Sequence, residues 1–281
     1  MRLRPVQFRN GGVRLQHNTV LSSKDNVNIK RYQKLAASKK ERYADGLFVL
    51  EGVRLVQDAL LEQAQLECLM ATESALEKYP AFLAQADLRE VRLLVISNEL
   101  GAKIAQTEQP QGVFALCRMP RQEDYQPVLY RGGHFLMLHQ LQDPGNLGMI
   151  LRTADALGID GVFLCGCCDV YSPKVIRATM GSVFRVPLWQ EPDTDRLLCR
   201  MQAAGVHTYA AVIDPDAREL RSCDFNGSAA VMIGNEGNGI PAQLADACDT
   251  RLTIRMQGHI NSLNAAMAAG IILWELQGGQ V

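Results

Sequence analysis

HFLMLHQLQDPGNLGMILRTADALGIDG, residues 134–161, governs how the rest of the chain is read. Residues 135–141 are a short unbroken apolar run, the pattern of a strand buried on both faces. Asp143-Pro144-Gly145 follows; Pro presets φ and Gly supplies a positive φ, as a type II turn needs. Asn146 then stands where a helix N-cap belongs. Ile150, Leu151, Ala154 and Leu157 recur at helical spacing, and Gly158 fits the C′ position beyond the last turn. Arg152 lies about 100° round the helix from Leu151, off the apolar stripe, and can point into the space above the strand end. Strand, tight turn, capped helix and protruding Arg form the carboxyl-end geometry at which α/β folds bind ligands.

Outward from this stretch, apolar strands alternate with helical segments. Strands are expected at 135–141, 161–165, 207–213, 229–233 and 251–255, and helices at 147–157, 173–181, 194–204 and 262–277. That alternation predicts an α/β domain over 134–281 with a mostly parallel sheet covered on both faces. Upstream, residues 21–118 read as a small α/β domain. A basic helix over 29–44 ends near Gly46; strands follow at 48–50, 66–71, 91–96 and 112–117. Helices are expected at 53–64, at 74–79 before Pro80, and after a Ser97 cap. Residues 119–133 hold Pro120, Pro127, Gly132 and Gly133 and read as a linker. Residues 1–20 read as a basic N-terminal extension.

The net charge of −1 hides an asymmetry. Residues 1–42 carry eleven Lys and Arg against Asp25 and Glu41, while the remainder holds 18 basic and 28 acidic residues. A basic cluster on an acidic chain suggests contact with polyphosphate; a solvated helix face is the plain alternative. The eight cysteines show no CxxC and no Cys/His ligand spacing, so buried small hydrophobes are expected rather than a metal site. No stretch is apolar and long enough for a bilayer, so no membrane partner is expected. With no secretory segment read at the N-terminus, reduced thiols in a cytoplasm are expected; an organellar transit segment is the lesser alternative.

Two more segments follow the same design. In Gly234-Asn235-Glu236-Gly237-Asn238-Gly239 a buried strand enters a glycine-dense loop holding one carboxylate. The spacing is neither a dinucleotide fingerprint nor a Walker loop, and alone it reads as a tight strand-to-helix turn. In residues 254–266 a strand ends, a polar loop follows, and Ser262 or Asn261 caps an Ala-rich helix. Its N-terminus presents free N–H groups that suit a carboxylate or phosphate.

DPGNLGMILRTADALGIDG, then MIGNEGNGIP, then IRMQGHINSLNAAMAA, in this order and spacing, resemble the three motifs of the SpoU (TrmH-type) RNA 2′-O-ribose methyltransferases of the SPOUT superfamily. SSKDNVNIKRYQKLAASKKERYADGLFVLEGVRLVQDAL is similar to that family's N-terminal RNA-binding domain, which has an L30e-like fold. The resemblance spans residues 21–277. It implies a trefoil knot in the C-terminal domain, although chain-threading rules alone would exclude one. It implies a homodimer with the site near its interface, S-adenosylmethionine as methyl donor and an RNA ribose 2′-hydroxyl as acceptor. Ribosomal RNA of the 23S type is the expected substrate, with transfer RNA as the alternative.

By motif match, Gly234, Ile254, Met256 and Leu263 would contact the donor. Asn146, Arg152, Glu236, Ser262 and Asn264 would form the reactive polar set. A guanidinium is a poor base, so Arg152 would orient the ribose or its phosphate, and a role for it as base ranks second. Glu236 would take the hydroxyl proton or hold Asn146 and Arg152. Arg31, Lys34, Lys39, Lys40 and Arg42 would meet RNA phosphates. No metal is required. The third motif, usually S-L-N-V-S in the family, reads Ser262-Leu263-Asn264-Ala265-Ala266 here, and Arg255 stands where Pro is common. An RNA-binding assembly factor that lost the chemistry is the competing reading. Arg152, Glu236 and Asn264 argue for the enzyme. A Rossmann-type dinucleotide enzyme would need G-x-G-x-x-G after the first strand, where DPGN stands instead.

Overall fold

A computed structural model describes residues 20–81 and 91–278; the basic extension expected at 1–20 lies, but for its last residue, outside them. The chain divides into two compact units. One holds residues up to Pro120 together with Tyr171–Arg177, and the other holds Arg121–Val170 and Ala178–Val281.

The first unit is built on a four-stranded sheet. Its elements are α1 (Val27–Ala37), α2 (Lys39–Asp45), β1 (Leu47–Glu51), α3 (Val53–Leu61), β2 (Leu66–Thr72), α4 (Glu73–Lys78), β3 (Leu93–Ile96), α5 (Asn98–Ile104) and β4 (Val113–Arg118). The strand order is β1-β4-β2-β3, with β2 and β3 parallel and β4 antiparallel to both neighbours. Ile29, Tyr32 and Leu35 recur at helical spacing on α1 and pack into a core with Leu47, Met70 and Phe114. The single helix expected over 29–44 is two helices. Ser38 adopts an extended conformation, φ −127° and ψ 119°, and its side chain accepts the Glu41 N–H. A serine that competes locally for backbone donors both ends one helix and caps the next. Gly46, at φ 63°, closes α2 in the left-handed conformation.

The second unit carries a parallel seven-stranded sheet, in the order β7-β6-β5-β10-β8-β11-β9. In chain order the elements from here on are α6 (Gln126–Arg131), β5 (His134–His139), α7 (Pro144–Ala156), β6 (Gly161–Cys165), α8 (Pro173–Thr179, of which residues up to Arg177 belong to the first unit), β7 (Leu188–Gln190), α9 (Thr194–Ala203), β8 (His207–Ala211), β9 (Arg218–Glu219), β10 (Ala229–Ile233), α10 (Ala242–Ala247), β11 (Thr250–Thr253) and α11 (Ala265–Leu276). The central strands are apolar throughout because helices cover both faces. One core layer stacks Phe163 on Trp189 with centroids 5.1 Å apart, and Phe135, Met137 and Met232 join it.

Three expectations need correction here. Residues 119–133 are more than a linker, since they contain α6, and Tyr125 and Leu129 lie in the core. Asp143-Pro144-Gly145 forms no separate turn. Asp143 is the N-cap of α7, accepting the Asn146 N–H at 2.8 Å, and Pro144 occupies the first turn. An acidic cap followed by Pro opens a helix as readily as a turn. At the last helix neither Asn261 nor Ser262 is the cap; Asn264 is, accepting from the N–H groups of Ala266 and Met267. No helix among the described residues is long and apolar enough to cross a membrane.

Candidate active site

The strands β5, β10 and β11 run in the same direction, so their carboxyl ends open on one edge of the sheet. The three sequence segments leave from those ends. Glu236, on the loop after β10, ties two of them together. Its carboxylate accepts the backbone N–H of Gln142 and of Asp143, each at 3.0 Å, and the side-chain amide of Asn146 at 3.2 Å. Asn146 is buried in the first turn of α7. Its Oδ1 in turn accepts the Nδ2 of Asn264 at 2.9 Å. Asn264 spends its own Oδ1 on the first turn of α11. A continuous chain of hydrogen bonds thus runs from the second segment through the first to the third.

Burial on its own would raise the Glu236 pKa. The hydrogen bonds from Gln142, Asp143 and Asn146 outweigh it and hold the carboxyl below its ordinary range. Glu236 is therefore an ionised acceptor with N–H donors on both oxygens.

Asn235 was not singled out from the sequence. Its Nδ2 donates to the Gln140 carbonyl at 2.7 Å, and its Oδ1 accepts the N–H groups of Gly237 and Asn238. Gln140 sits at φ 54°, a strained value for a non-glycine residue, on the turn that Asn235 braces. The available signal was an Asn immediately after a strand in a glycine-dense loop, a residue suited to local backbone bonding.

The remaining candidates divide. A Cβ on Gly234 would lie 2.3 Å from the Gly239 carbonyl carbon, so only glycine lets this loop fold back on itself. Ile254, Met256 and Leu263 are half-buried side chains on the stretch leaving β11, and Ser262 is exposed there. Arg152 is exposed on α7, six residues and roughly 9 Å of helix beyond Asn146. It does not join the hydrogen-bonded chain.

Of the basic residues of the first unit, Lys34, Lys39 and Lys40 are exposed. Arg31 pairs with Asp45 and Glu67. Arg42 departs from the expected phosphate role. It is only 4% exposed, and its guanidinium donates to the carbonyls of Leu35 and Ala36 where α1 ends. The break at Ser38 leaves those carbonyls without helical donors, and Arg42 supplies them. The Cys165 and Cys167 thiols are pushed up to about 12 by burial, and that of Cys168 to about 11, so all three stay protonated and act as small hydrophobes.

Residues 133–274 match the profile of the SpoU rRNA Methylase family, and residues 26–115 match that of the MRM3-like substrate binding domain. The chain belongs to the SpoU rRNA methylase family. It is 30% identical to the 23S rRNA (guanosine(2553)-2′-O)-methyltransferase RlmP of Bacillus subtilis, over 92% of this chain and 99% of that protein. It is also 30% identical to the 23S rRNA (uridine(2479)-2′-O)-methyltransferase of Streptomyces viridochromogenes, over 89% of each. The AdoMet-bound rRNA methyltransferase of Sinorhizobium meliloti superposes with a TM-score of 0.83 at 29% identity, covering 94% of this chain and 98% of that one. The residues present in this SpoU protein fit an adenosyl donor. Gly234 lets its loop fold back on itself where a Cβ would strike the Gly239 backbone, and Ile254, Met256 and Leu263 supply half-buried apolar surface on the stretch leaving β11.

Proposed function

We propose that this protein transfers the methyl group of S-adenosylmethionine to a ribose 2′-hydroxyl of large-subunit ribosomal RNA. The observation that carries the reading is the hydrogen-bonded chain from Glu236 through Asn146 to Asn264. It gathers all three segments at the sheet edge where an α/β fold takes its ligand. In this reading Gly234, Ile254, Met256 and Leu263 hold the donor, and Ser262 and Asn264 order its loop. When bound, the donor supplies a methyl group activated by a sulfonium.

The acceptor hydroxyl must shed its proton as the new O–C bond forms. Glu236 is poorly suited to take it, because N–H donors occupy both its oxygens and depress its basicity. It acts instead by fixing the 142–146 segment. Arg152 is exposed and a guanidinium is a poor base, so it orients the ribose or an adjoining phosphate and stabilises the developing alkoxide. The proton passes to solvent or to an RNA phosphate oxygen. In-line placement of hydroxyl and methyl supplies most of the acceleration.

The active form in this reading is a homodimer with the expected trefoil knot, working in the cytoplasm. Met267, Ile271 and Trp274 recur on one face of α11 and are exposed, as is Met149 on α7, which packs against α11. An exposed apolar stripe on two packed helices suits a second copy of the chain.

The test is methyl transfer from labelled S-adenosylmethionine to an unmodified large-subunit rRNA transcript, with the product mapped as a 2′-O-methyl ribose. Arg152→Ala should abolish transfer and leave donor affinity nearly unchanged by calorimetry. Label appearing on a base, on transfer RNA alone, or undiminished in the Arg152 variant contradicts the reading.

A further inference from the structure

The turn between β5 and α7 is held from outside by two other loops. Gln140 sits there at φ 54°, a left-handed conformation that is unfavourable for a residue with a Cβ. Glycine would adopt it freely, so at this position the surroundings must hold it. The backbone groups of the turn accordingly bond elsewhere. The Gln140 N–H donates to the Cys165 carbonyl at 2.8 Å, and the Cys168 N–H donates to the Leu141 carbonyl at 2.7 Å. The Gln142 N–H donates to Glu236.

The Gln140 carbonyl is the hub. It accepts Asn235 Nδ2 at 2.7 Å and Gln142 Nε2 at 3.1 Å. The same Nε2 donates to the Gly166 carbonyl at 3.3 Å. Facing two carbonyl oxygens, the Gln142 amide can present only its NH₂ group, so its orientation is fixed. Asn235 is oriented as firmly. Its Oδ1 is taken by the N–H groups of Gly237 and Asn238, which leaves Nδ2 for Gln140. Gly166 directly follows β6, so a fourth loop, residues 165–168, joins the three that carry the sequence motifs.

Glu236 depends on the shape of this turn. Its two backbone donors, Gln142 and Asp143, are consecutive residues. Two successive N–H groups converge on one anion only from a turn conformation. Relaxing Gln140 toward extended backbone would swing both of them off the carboxylate, and Asn146 follows only three residues later.

We infer that Gln142 and Asn235 are positioning residues for methyl transfer, acting through the Gln140 carbonyl to keep the 142–146 segment on Glu236. Their amides oppose the strain at Gln140 and touch neither RNA nor donor. The link to methyl transfer rests on the function proposed above; the clamp on Gln140 does not.

The experiment uses the full-length protein, saturating S-adenosylmethionine and an unmodified large-subunit rRNA transcript. Gln142→Met keeps the side-chain length and removes the donor. Asn235→Asp keeps the oxygen for Gly237 and Asn238 and removes the donor. Each should lower kcat about tenfold, with the RNA KM within about twofold of the parent. Exchange of the Gln142 and Asp143 amides, followed by NMR, should quicken about tenfold in both. Gln140→Gly relieves the left-handed strain. In that background Gln142→Met should cost less than about threefold in kcat, a non-additivity that a side chain touching substrate would not show. The melting temperature of Gln142→Met should barely change, because the residue is exposed. An undiminished kcat in Gln142→Met overturns the inference, and so does a loss that Gln140→Gly leaves in full. A raised RNA KM at unchanged kcat makes Gln142 a substrate contact and overturns it as well. A parent that methylates no large-subunit rRNA refutes the proposed function, and the amide exchange then decides the clamp alone.

Discussion

Asn264 donates through Nδ2 to Asn146 Oδ1 at 2.9 Å, and with its own Oδ1 it accepts two N–H groups at the start of α11. One side chain thus caps the last helix and fastens it to the first turn of α7. Asn264→Ala removes both functions. The lost cap costs about 1 kcal/mol of stability, and the loop at 256–263 loses its anchor. Melting temperature should drop by several degrees. Donor affinity measured by calorimetry should fall about tenfold or more, beyond what the stability loss explains. Asn264→Asp keeps the cap but loses the donor to Asn146, so it should retain the melting temperature and still bind donor weakly. Full donor affinity in Asn264→Asp would remove the link to Asn146 from the account.

Glu236 predicts a pH effect with a defined sign. Burial opposes its ionisation, but the N–H groups of Gln142 and Asp143 and the amide of Asn146 prevail and depress its pKa in the folded protein. A carboxyl depressed by folding adds stability above its unfolded pKa, and that contribution is lost as pH falls through the folded value. Urea unfolding of the parent should therefore weaken toward acid more steeply than that of Glu236→Gln. The gap between the two proteins should be widest at neutral pH and shrink below the ordinary glutamate value of 4.5. A gap independent of pH would show that the carboxylate charge is not what those donors stabilise. The same depression predicts that no pKa near neutrality in the rate profile belongs to Glu236.

The central strands and the body of α7 were legible because their signal is hydrophobic and local: unbroken apolar runs and a helical stripe. The edges of the sheet were not. The strands Leu188–Gln190 and Arg218–Glu219 are too short to show any alternation and exist through pairing with β6 and β11. The opening of α7 was misread because Asp-Pro-Gly suits both a turn and a helix start; the pairing of Glu236 with the N–H groups of Gln142 and Asp143 spans 94 and 93 residues of sequence. Asn146, Glu236 and Asn264 could be named from motif pattern, but the order in which they bond could not. The burial of Arg42 was hidden for a similar reason. It depends on where α1 ends, and Ser38 decides that by a capping choice that charge counting cannot see.

His139 gives a second acid-side prediction. It is buried at the end of β5 with Nδ1 on the Thr194 hydroxyl at 3.2 Å, and Nε2 has no partner among the described residues. Burial lowers its pKa, and the nearby Asp195 only partly restores it. The unfolded chain therefore takes up a proton near the ordinary value of 6.5 that the folded chain refuses until lower pH. Stability should fall as pH drops below that value. His139→Met keeps the volume and removes the titration, so its melting temperature should be flatter between pH 7 and 5 than the parent's. Parallel curves would assign the acid sensitivity elsewhere.

The exposed row Met267, Ile271 and Trp274 on α11 makes the oligomeric state testable. Burying such a row against a second copy removes apolar surface from water at about 25 cal/mol per Å². A carboxylate there would be stranded without a partner. Trp274→Asp should shift the sedimenting species from dimer to monomer and reduce methyl transfer, with far-ultraviolet circular dichroism unchanged. A dimer that persists in Trp274→Asp and Ile271→Asp alike would move the interface to another face.

The basic residues of the first unit separate into two roles that one pair of variants can distinguish. Lys34, Lys39 and Lys40 are exposed and point their charge at solvent, whereas Arg42 is spent on the carbonyls that end α1. Reversing the three lysines to Glu removes counterion-releasing contacts. RNA affinity should drop at least tenfold at low salt, and the log–log salt slope should shrink by up to about two. The melting temperature should barely change, because exposed charges contribute little to stability. Arg42→Ala should do the reverse. It takes the guanidinium from the buried Leu35 carbonyl and the part-buried Ala36 carbonyl, at a cost of about 1–3 kcal/mol, while the salt slope of RNA binding stays that of the parent. A lysine variant with unaltered affinity and slope would mean that this face meets water rather than phosphate. A reduced slope in Arg42→Ala would mean that the guanidinium leaves its carbonyls when RNA binds.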